Sequence, residues 1–103
     1  MDRFTVRVEL FDTDDGTSEE YDILHEQMET KGFTRTIISG DDGTEYQLPP
    51  AEYNLIGNYA AEDVRDMASL AAAATGKKYS VLVTPSTGRY WVGLKKVKNK
   101  VKA

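Results

Sequence analysis

A strictly alternating segment near the start of the chain constrains the fold more than any other pattern in the sequence. Apolar side chains occupy every second position from Phe4 to Leu10, and Arg3, Thr5, Arg7 and Glu9 fill the positions around them. A period of two places the two sets on opposite faces of a β-strand. The segment therefore predicts a sheet that is covered by apolar packing on one face and open on the other.

Apolar residues at helical spacing predict two helices on the covered face. The first helix is expected over residues 18–31, where Tyr21, Leu24 and Met28 form a core-facing stripe. The second is expected over residues 60–75. Its apolar side comprises Val64, Met67, Ala68, Leu70, Ala71 and Ala74.

Turn residues divide the remaining β-prone segments into two hairpins. An Asp-Gly turn joins residues 33–39 to residues 44–48, and Asp-Gly between two such runs is a strong hairpin signal. After Pro49-Pro50 the chain resumes an extended path over residues 52–55. A final hairpin is predicted from residues 79–84 and 90–94.

The order of these elements predicts an α+β protein. A β-α-β-β-α-β order with two helices on one face of an antiparallel sheet is the ferredoxin-like, or split β-α-β, sandwich. The final hairpin adds one strand at the carboxyl end. Residues 1–94 are expected to form a single domain, and residues 95–103 a flexible, lysine-rich tail.

The amino-acid composition excludes several kinds of site. The chain has no cysteine and one histidine, which excludes disulfides, thiolate metal sites, cysteine nucleophiles and most zinc centres. Its start does not resemble a secretory signal, and no apolar stretch is long enough to span a membrane. A cytoplasmic protein without membrane contact is therefore expected, and the sequence leaves its cofactors open.

The charges are distributed unevenly along the chain. The net charge is −4, yet residues 95–103 hold five lysines and no acidic residue, so the remainder carries 8 basic and 17 acidic side chains. Affinity for nucleic acid comes largely from clustered lysine and arginine, so an acidic body binds polyanions poorly. Any nucleic-acid contact must therefore be local, and the lysine tail either supplies such a contact or serves solubility.

Arginines on the open sheet face are the leading candidates for a binding site. Arg3 and Arg7 share the outward face of the first strand, and Arg35 is expected on a strand beside it. Three guanidinium groups can hold an RNA backbone or stabilise the charge of a phosphodiester transition state. The alternative is that the arginines form ordinary ion pairs with Glu9 and Glu45.

Aromatic residues near this face are candidates for stacking on unpaired bases. Phe11, Tyr79 and Trp91 are expected close to the sheet, although no RNA-recognition-motif signature is present. Phosphate-binding-loop, dinucleotide-binding and hydrolase-elbow motifs are also absent from the sequence. The sequence thus indicates a binding surface more clearly than a reaction.

Two further sets of residues have both a chemical and a structural interpretation. Asp12, Asp14 and Asp15 follow the first strand, where carboxylates could hold Mg²⁺ beside a phosphodiester or could simply solvate a loop and cap a helix. His25 lies next to Leu24 and one position from the apolar stripe. It is either a general base or a half-exposed structural residue.

Several stretches together resemble the GhoS-like family of small bacterial proteins. The resemblance covers most of residues 3–94 and excludes the lysine tail. It is carried by RFTVRVEL at residues 3–10, LHEQM at 24–28, GFTRTI at 32–37, LPPAEY at 48–53 and YSVLVT at 79–84. The family's founding member is the antitoxin of a type V toxin–antitoxin pair, an endoribonuclease that cleaves the messenger RNA of a membrane toxin. The resemblance implies a ferredoxin-like fold and this activity.

The resemblance also implies roles for the candidate residues, although the family has no compact catalytic signature. The implied roles are phosphate clamps for Arg3, Arg7 and Arg35, a metal or water-positioning group at Asp12 or Asp14, and a proton shuttle at His25. In the predicted site, Arg7, Asp12 and His25 are catalytic, and Arg3, Arg7, Arg35 and Phe11 bind RNA. No resident metal is assigned to it.

Three functions follow from these observations. The first is an endoribonuclease-like antitoxin that acts on single-stranded messenger RNA. The second is a non-catalytic interaction module, including a homodimer formed by strand pairing. The third is binding of single-stranded RNA without cleavage, because unpaired bases can stack on exposed aromatic rings whereas a sheet cannot enter the deep groove of an A-form helix.

Overall fold

A computed structural model describes residues 2–11, 19–40 and 43–97. The described residues form two helices, a three-stranded antiparallel sheet and a two-stranded sheet, which confirms the α+β class. The elements are β1 (Asp2–Leu10), α1 (Glu19–Thr30), β2 (Thr36–Ile38), β3 (Glu45–Gln47), β4 (Glu52–Gly57), α2 (Ala61–Ala73) and β5 (Tyr79–Ser86).

Strand β1 is the centre of the main sheet. It pairs antiparallel with β4 on one edge and with β5 on the other, so the strand order is β4-β1-β5. The two outer strands run in the same direction and are joined through α2. In register, Val6 lies between Tyr53 and Val83, and Arg7 lies between Glu52 and Leu82. Each face of β1 therefore continues across all three strands.

The predicted faces of β1 are confirmed. Its four alternating apolar side chains are buried against both helices, while Arg3 and Arg7 are exposed. The Tyr21 hydroxyl of α1 also accepts a hydrogen bond of 2.9 Å from the backbone N–H of Leu10. The core comprises Phe4, Val6, Val8, Leu10, Tyr21, Leu24, Met28, Phe33, Tyr53, Leu55, Val64, Ala68, Ala71 and Ala72.

The buried side of α2 differs in part from the prediction. Val64, Ala68 and Ala71 are buried as expected, but Leu70 is 66% exposed, and Ala72 is buried in its place. Residues 64, 68, 71 and 72 follow i, i+4, i+7, i+8 spacing, and position 70 lies outside that arc. Small alanine side chains let α2 pack closely on the sheet. Neither of the two helices among the described residues is long and apolar enough to cross a membrane.

The hairpin of β2 and β3 is confirmed, with shorter strands than predicted. Gly43 has a positive φ of 75° in the turn, a conformation that glycine adopts without steric cost. The segment before β2 pairs with the main sheet at one point, where Thr34 and Asn54 exchange two backbone hydrogen bonds of 2.8 Å. This bridge attaches the small sheet to the outer edge of β4.

The predicted carboxyl-terminal hairpin is wrong. Strand β5 extends to Ser86, but residues 90–94 form no strand and do not return along it. The chain instead crosses toward β3, where the carbonyl of Lys95 accepts from Gln47 N (2.8 Å) and Val97 N donates to the carbonyl of Glu45 (2.9 Å). The backbone groups of residues 95–97 thus pair with β3, so the added strand beside β5 does not form. We call residues 87–97 the covering segment.

We expect a matched pair of leucine substitutions to separate the core from the solvent-exposed side of α2. Leu24→Ala removes a fully buried side chain and should lower the free energy of unfolding by about 2 to 5 kcal/mol. Leu70→Ala removes an exposed side chain and should change it by less than about 0.5 kcal/mol. Urea unfolding followed by far-UV circular dichroism measures both. Equal losses would contradict the packing described here.

Candidate functional site

An open cleft of about 990 Å³ lies between the polar face of the main sheet, the β2–β3 hairpin and the covering segment. Strands β1 and β4 supply one wall, the hairpin supplies a second, and residues 88–91 supply the third. The side chains that line it include Arg3, Glu45, Tyr46, Asn54, Arg89, Tyr90 and Trp91. Alternation along β1 and β4 places Arg3 and Asn54 here, because the adjacent Phe4, Tyr53 and Leu55 point into the core.

Asn54 anchors the covering segment to the sheet. It lies on the open face of β4, opposite Thr5, and yet it is only 8% exposed. The guanidinium of Arg89 donates a hydrogen bond of 2.6 Å from Nη1 to Asn54 Oδ1. Asn54 Nδ2 in turn donates to Thr34 Oγ1 at 3.2 Å. Both ends of the amide are therefore satisfied, which a buried polar group requires.

Arg3 and Arg89 place two positive charges in the same cleft, and we call them the arginine pair. Partial burial lowers the pKa of Arg89 from its ordinary value, and the nearby charge of Arg3 lowers it further. In the part of the chain that the structure describes, neither arginine forms an ion pair with an acidic residue. With the carboxylate of Glu45, the described lining of the cleft carries a net charge of +1, although the protein as a whole is acidic.

Aromatic rings stand beside the arginine pair. Tyr46 and Trp91 contact each other edge to face, with 5.4 Å between ring centroids. Tyr90 is 96% exposed, which leaves both faces of its ring open to solvent. Unpaired bases stack on aromatic rings, and guanidinium groups in the same cleft can contact the phosphates of the same strand.

Arg7 is already neutralised by two glutamates. Its guanidinium lies 3.3 Å from Glu9 and 3.2 Å from Glu52. Glu45, the other partner that the sequence suggested, instead accepts a hydrogen bond of 2.6 Å from the Thr36 hydroxyl. These surface ion pairs add little stability, but they cancel the positive charge that a phosphate clamp at Arg7 would need.

Arg35 does not join Arg3 and Arg7. The bridge at Thr34 pairs this segment with β4, so β4 separates Arg35 from β1. Burial lowers the pKa of His25 and raises that of Tyr53, and the charge of Arg35 acts on both groups to lower their pKa values. Tyr53 is fully buried in the core. Arg35 Nε is buried without a hydrogen-bond partner among the described residues. The expected set of three arginines on one face is therefore not brought together.

His25 also lies away from the cleft. Its Nδ1 and the Tyr53 hydroxyl share a hydrogen bond of 2.5 Å, which joins α1 to β4. Burial lowers the pKa of His25 to about 4, with a further lowering by Arg35 and an opposing contribution from Asp22. Burial raises the pKa of Tyr53 above its ordinary value. The imidazole is therefore neutral at pH 7, and its hydrogen bond to Tyr53 gives it a structural role between α1 and β4.

The remaining predicted residues are not found in the cleft. Phe11 is 45% exposed just after β1 and does not line it. Asp12 and Asp14 lie outside the described residues. Within residues 2–11, 19–40 and 43–97, no group of acidic or histidine side chains is arranged to hold a metal ion.

Sequence reasoning found Arg3 and Trp91 but missed Tyr90, which lies in the predicted final strand, and three other residues of the cleft. Arg89 falls in a predicted turn, Asn54 in a short extended segment and Tyr46 in the hairpin. No motif marks any of the three. Their role depends on the path of the covering segment, which brings Arg89 onto Asn54 and Trp91 onto Tyr46.

Comparison with known proteins adds no family assignment. No protein-family model matches this chain. No curated protein matches it either.

We expect the single histidine to report its environment directly. The nitrogen-15 chemical shifts of the His25 ring should titrate with a pKa of about 4 instead of the ordinary 6.5. Because the unfolded chain takes up this proton at higher pH than the folded protein, lowering the pH from about 6.5 to about 4 should destabilise the fold. His25→Gln should weaken this dependence in urea unfolding measured across that range. A histidine that titrates near 6.5 would contradict its burial against Tyr53.

Proposed function

We propose that this protein binds single-stranded RNA in the cleft between the sheet and the covering segment. The observation that carries this proposal is that aromatic rings share one cleft with the arginine pair, which forms no ion pair with an acidic side chain among the described residues. Guanidinium groups contact phosphate oxygens, and aromatic rings stack on bases. A nucleic-acid strand can contact the guanidinium groups through its phosphates and the aromatic rings through its bases at the same time.

The shape of the cleft favours an unpaired strand. A cleft of about 990 Å³ that is open to solvent can admit bases splayed away from their backbone. A rigid A-form duplex presents its bases inside the helix, where Tyr90 and Trp91 could not stack on them. The acidic remainder of the surface repels a polyanion, so we expect binding to be confined to the cleft and to weaken as salt is added.

Cleavage of the RNA is not part of this proposal. The resemblance to the GhoS-like family implies an endoribonuclease antitoxin, and that activity remains a prediction. The residues that would carry it are dispersed or differently engaged: Arg7 is paired with Glu9 and Glu52, and His25 is neutral and bonded to Tyr53. These contacts support binding over catalysis.

We also propose that the scaffold is the ferredoxin-like arrangement. Two features support it. Strands β4 and β5 flank β1 and are connected through α2, and the bridge at Thr34 brings the segment after α1 beside β4. Family membership and a homodimer formed by strand pairing both remain predictions.

We expect Trp91→Ala to weaken binding of an oligouridylate of about eight nucleotides by roughly tenfold to a hundredfold, since stacking on one ring contributes about 1 to 3 kcal/mol per base. Phe11→Ala removes an exposed ring outside the cleft and is the matched control. Fluorescence anisotropy of the labelled RNA measures both variants. The only tryptophan, Trp91, also provides an intrinsic signal in the unmodified protein.

The outcomes separate the proposed functions. Equal weakening by both aromatic substitutions would remove the cleft as the binding site, and no binding of single-stranded RNA by the unmodified protein would overturn the proposal. Gel analysis of the same RNA with and without Mg²⁺ adds the test for cleavage. Fragments produced by the unmodified protein and lost in Arg7→Ala would favour the endoribonuclease over simple binding.

A further inference from the structure

The arginines of the described residues differ in whether their charge is compensated. Arg7 has two glutamate partners, and Arg65 on α2 lies 3.0 Å from Asp66. Arg3 and Arg89 have no such partner among the residues that the structure describes, and they repel each other. Two like charges held in one cleft are stabilised when an anion lies between them.

The residue that holds Arg89 in place is neutral. Asn54 accepts the hydrogen bond from Arg89 through an amide oxygen, so it orients the guanidinium without cancelling its charge. The second bond, from Asn54 Nδ2 to Thr34, fixes which end of the amide faces Arg89. An aspartate at this position would form the same contact as an ion pair. Asparagine thus keeps the positive charge available.

We infer that Arg3 and Arg89 together hold one phosphate group of the RNA backbone, and that Asn54 is the positioning residue that presents Arg89 to it. This inference rests on the proposed function and specifies which part of the ligand the arginine pair recognises. Arg89 uses Nη1 for Asn54, which leaves its other N–H donors for phosphate oxygens. Planar guanidinium groups match phosphate geometry by donating two parallel hydrogen bonds.

Charge-removing substitutions at three arginines test the clamp. Arg3→Gln and Arg89→Gln should each weaken oligouridylate binding by about tenfold and reduce the slope of log affinity against log salt concentration, and the double substitution should reduce that slope by about 0.7, the value for one phosphate of a single strand. Arg65→Gln removes the same charge from α2, outside the cleft, and should leave both quantities unchanged. Equal effects of all three substitutions would overturn the clamp, because they would indicate a general response to net charge.

Substitution of the positioning residue distinguishes charge from structure. Asn54→Asp loses the hydrogen bond to Thr34 but should keep the covering segment attached through an ion pair with Arg89, and it should weaken RNA binding and reduce the salt slope as Arg89→Gln does. A purely structural role for Asn54 predicts normal binding by this variant. Normal binding with an unchanged salt slope would therefore overturn the positioning role. If Asn54→Asp does not fold, the exposed Arg3 still provides the test through Arg3→Gln.

Failure of the clamp and failure of the proposed function have different signatures. If Trp91→Ala weakens RNA binding and Arg3→Gln does not, RNA binding stands and the clamp is overturned. If the protein binds no RNA, titration with inorganic phosphate shows whether the arginine pair still binds a phosphate group. Saturable quenching of Trp91 fluorescence that is lost in Arg3→Gln would support the clamp without RNA, whereas no saturation would overturn it.

Discussion

Pairing of β1 on both of its edges is the constraint from which the rest of the architecture follows. Because β4 and β5 both take their register from this strand, its alternation decides which side chains of all three strands enter the core. A slip of one residue would bury Arg3 and Arg7 and expose Val6, so the register is strongly specified. The two helices cover the only apolar face, and the polar face is left to form the cleft. The candidate site therefore lies on the face of the main sheet opposite the core.

Local sequence patterns predicted the helices and strands. Contacts between residues distant in sequence determined the buried side of α2 and the path of the chain after β5. The stripe of Tyr21, Leu24 and Met28 identified the buried side of α1 because large apolar side chains at helical spacing leave little choice. The side of α2 was harder to predict, since many alanines make the apolar arc broad, and Leu70 proved to be exposed. The β-prone side chains of residues 90–94 predict a strand beside β5. The hydrogen bonds that residues 95–97 make to β3 instead lead the chain away from β5.

The same distinction explains how far the site could be predicted. Alternation correctly placed Arg3 and Arg7 on one face, but the neutralisation of Arg7 depends on Glu52, which lies opposite it only in the register of β4. Arg35 was expected next to β1, and β4 comes between them because the chain after α1 passes to the outer edge of the sheet. Arg89 acquires its place only through Asn54, which is 35 positions away in sequence.

The covering segment is attached at both ends, and between them Trp91 contacts Tyr46 of the hairpin. Arg89 holds one end to β4, and the backbone of Lys95 and Val97 holds the other to β3. The side chains of Tyr90 and Val92, which lie between the two attachments, are almost fully exposed. The length of chain between the two attachments therefore limits how wide the cleft can be. Each residue inserted or deleted between the attachments changes the maximum length of this connection by about 3.3 to 3.6 Å. The number of residues in the connection therefore limits the size of a ligand that the cleft can admit.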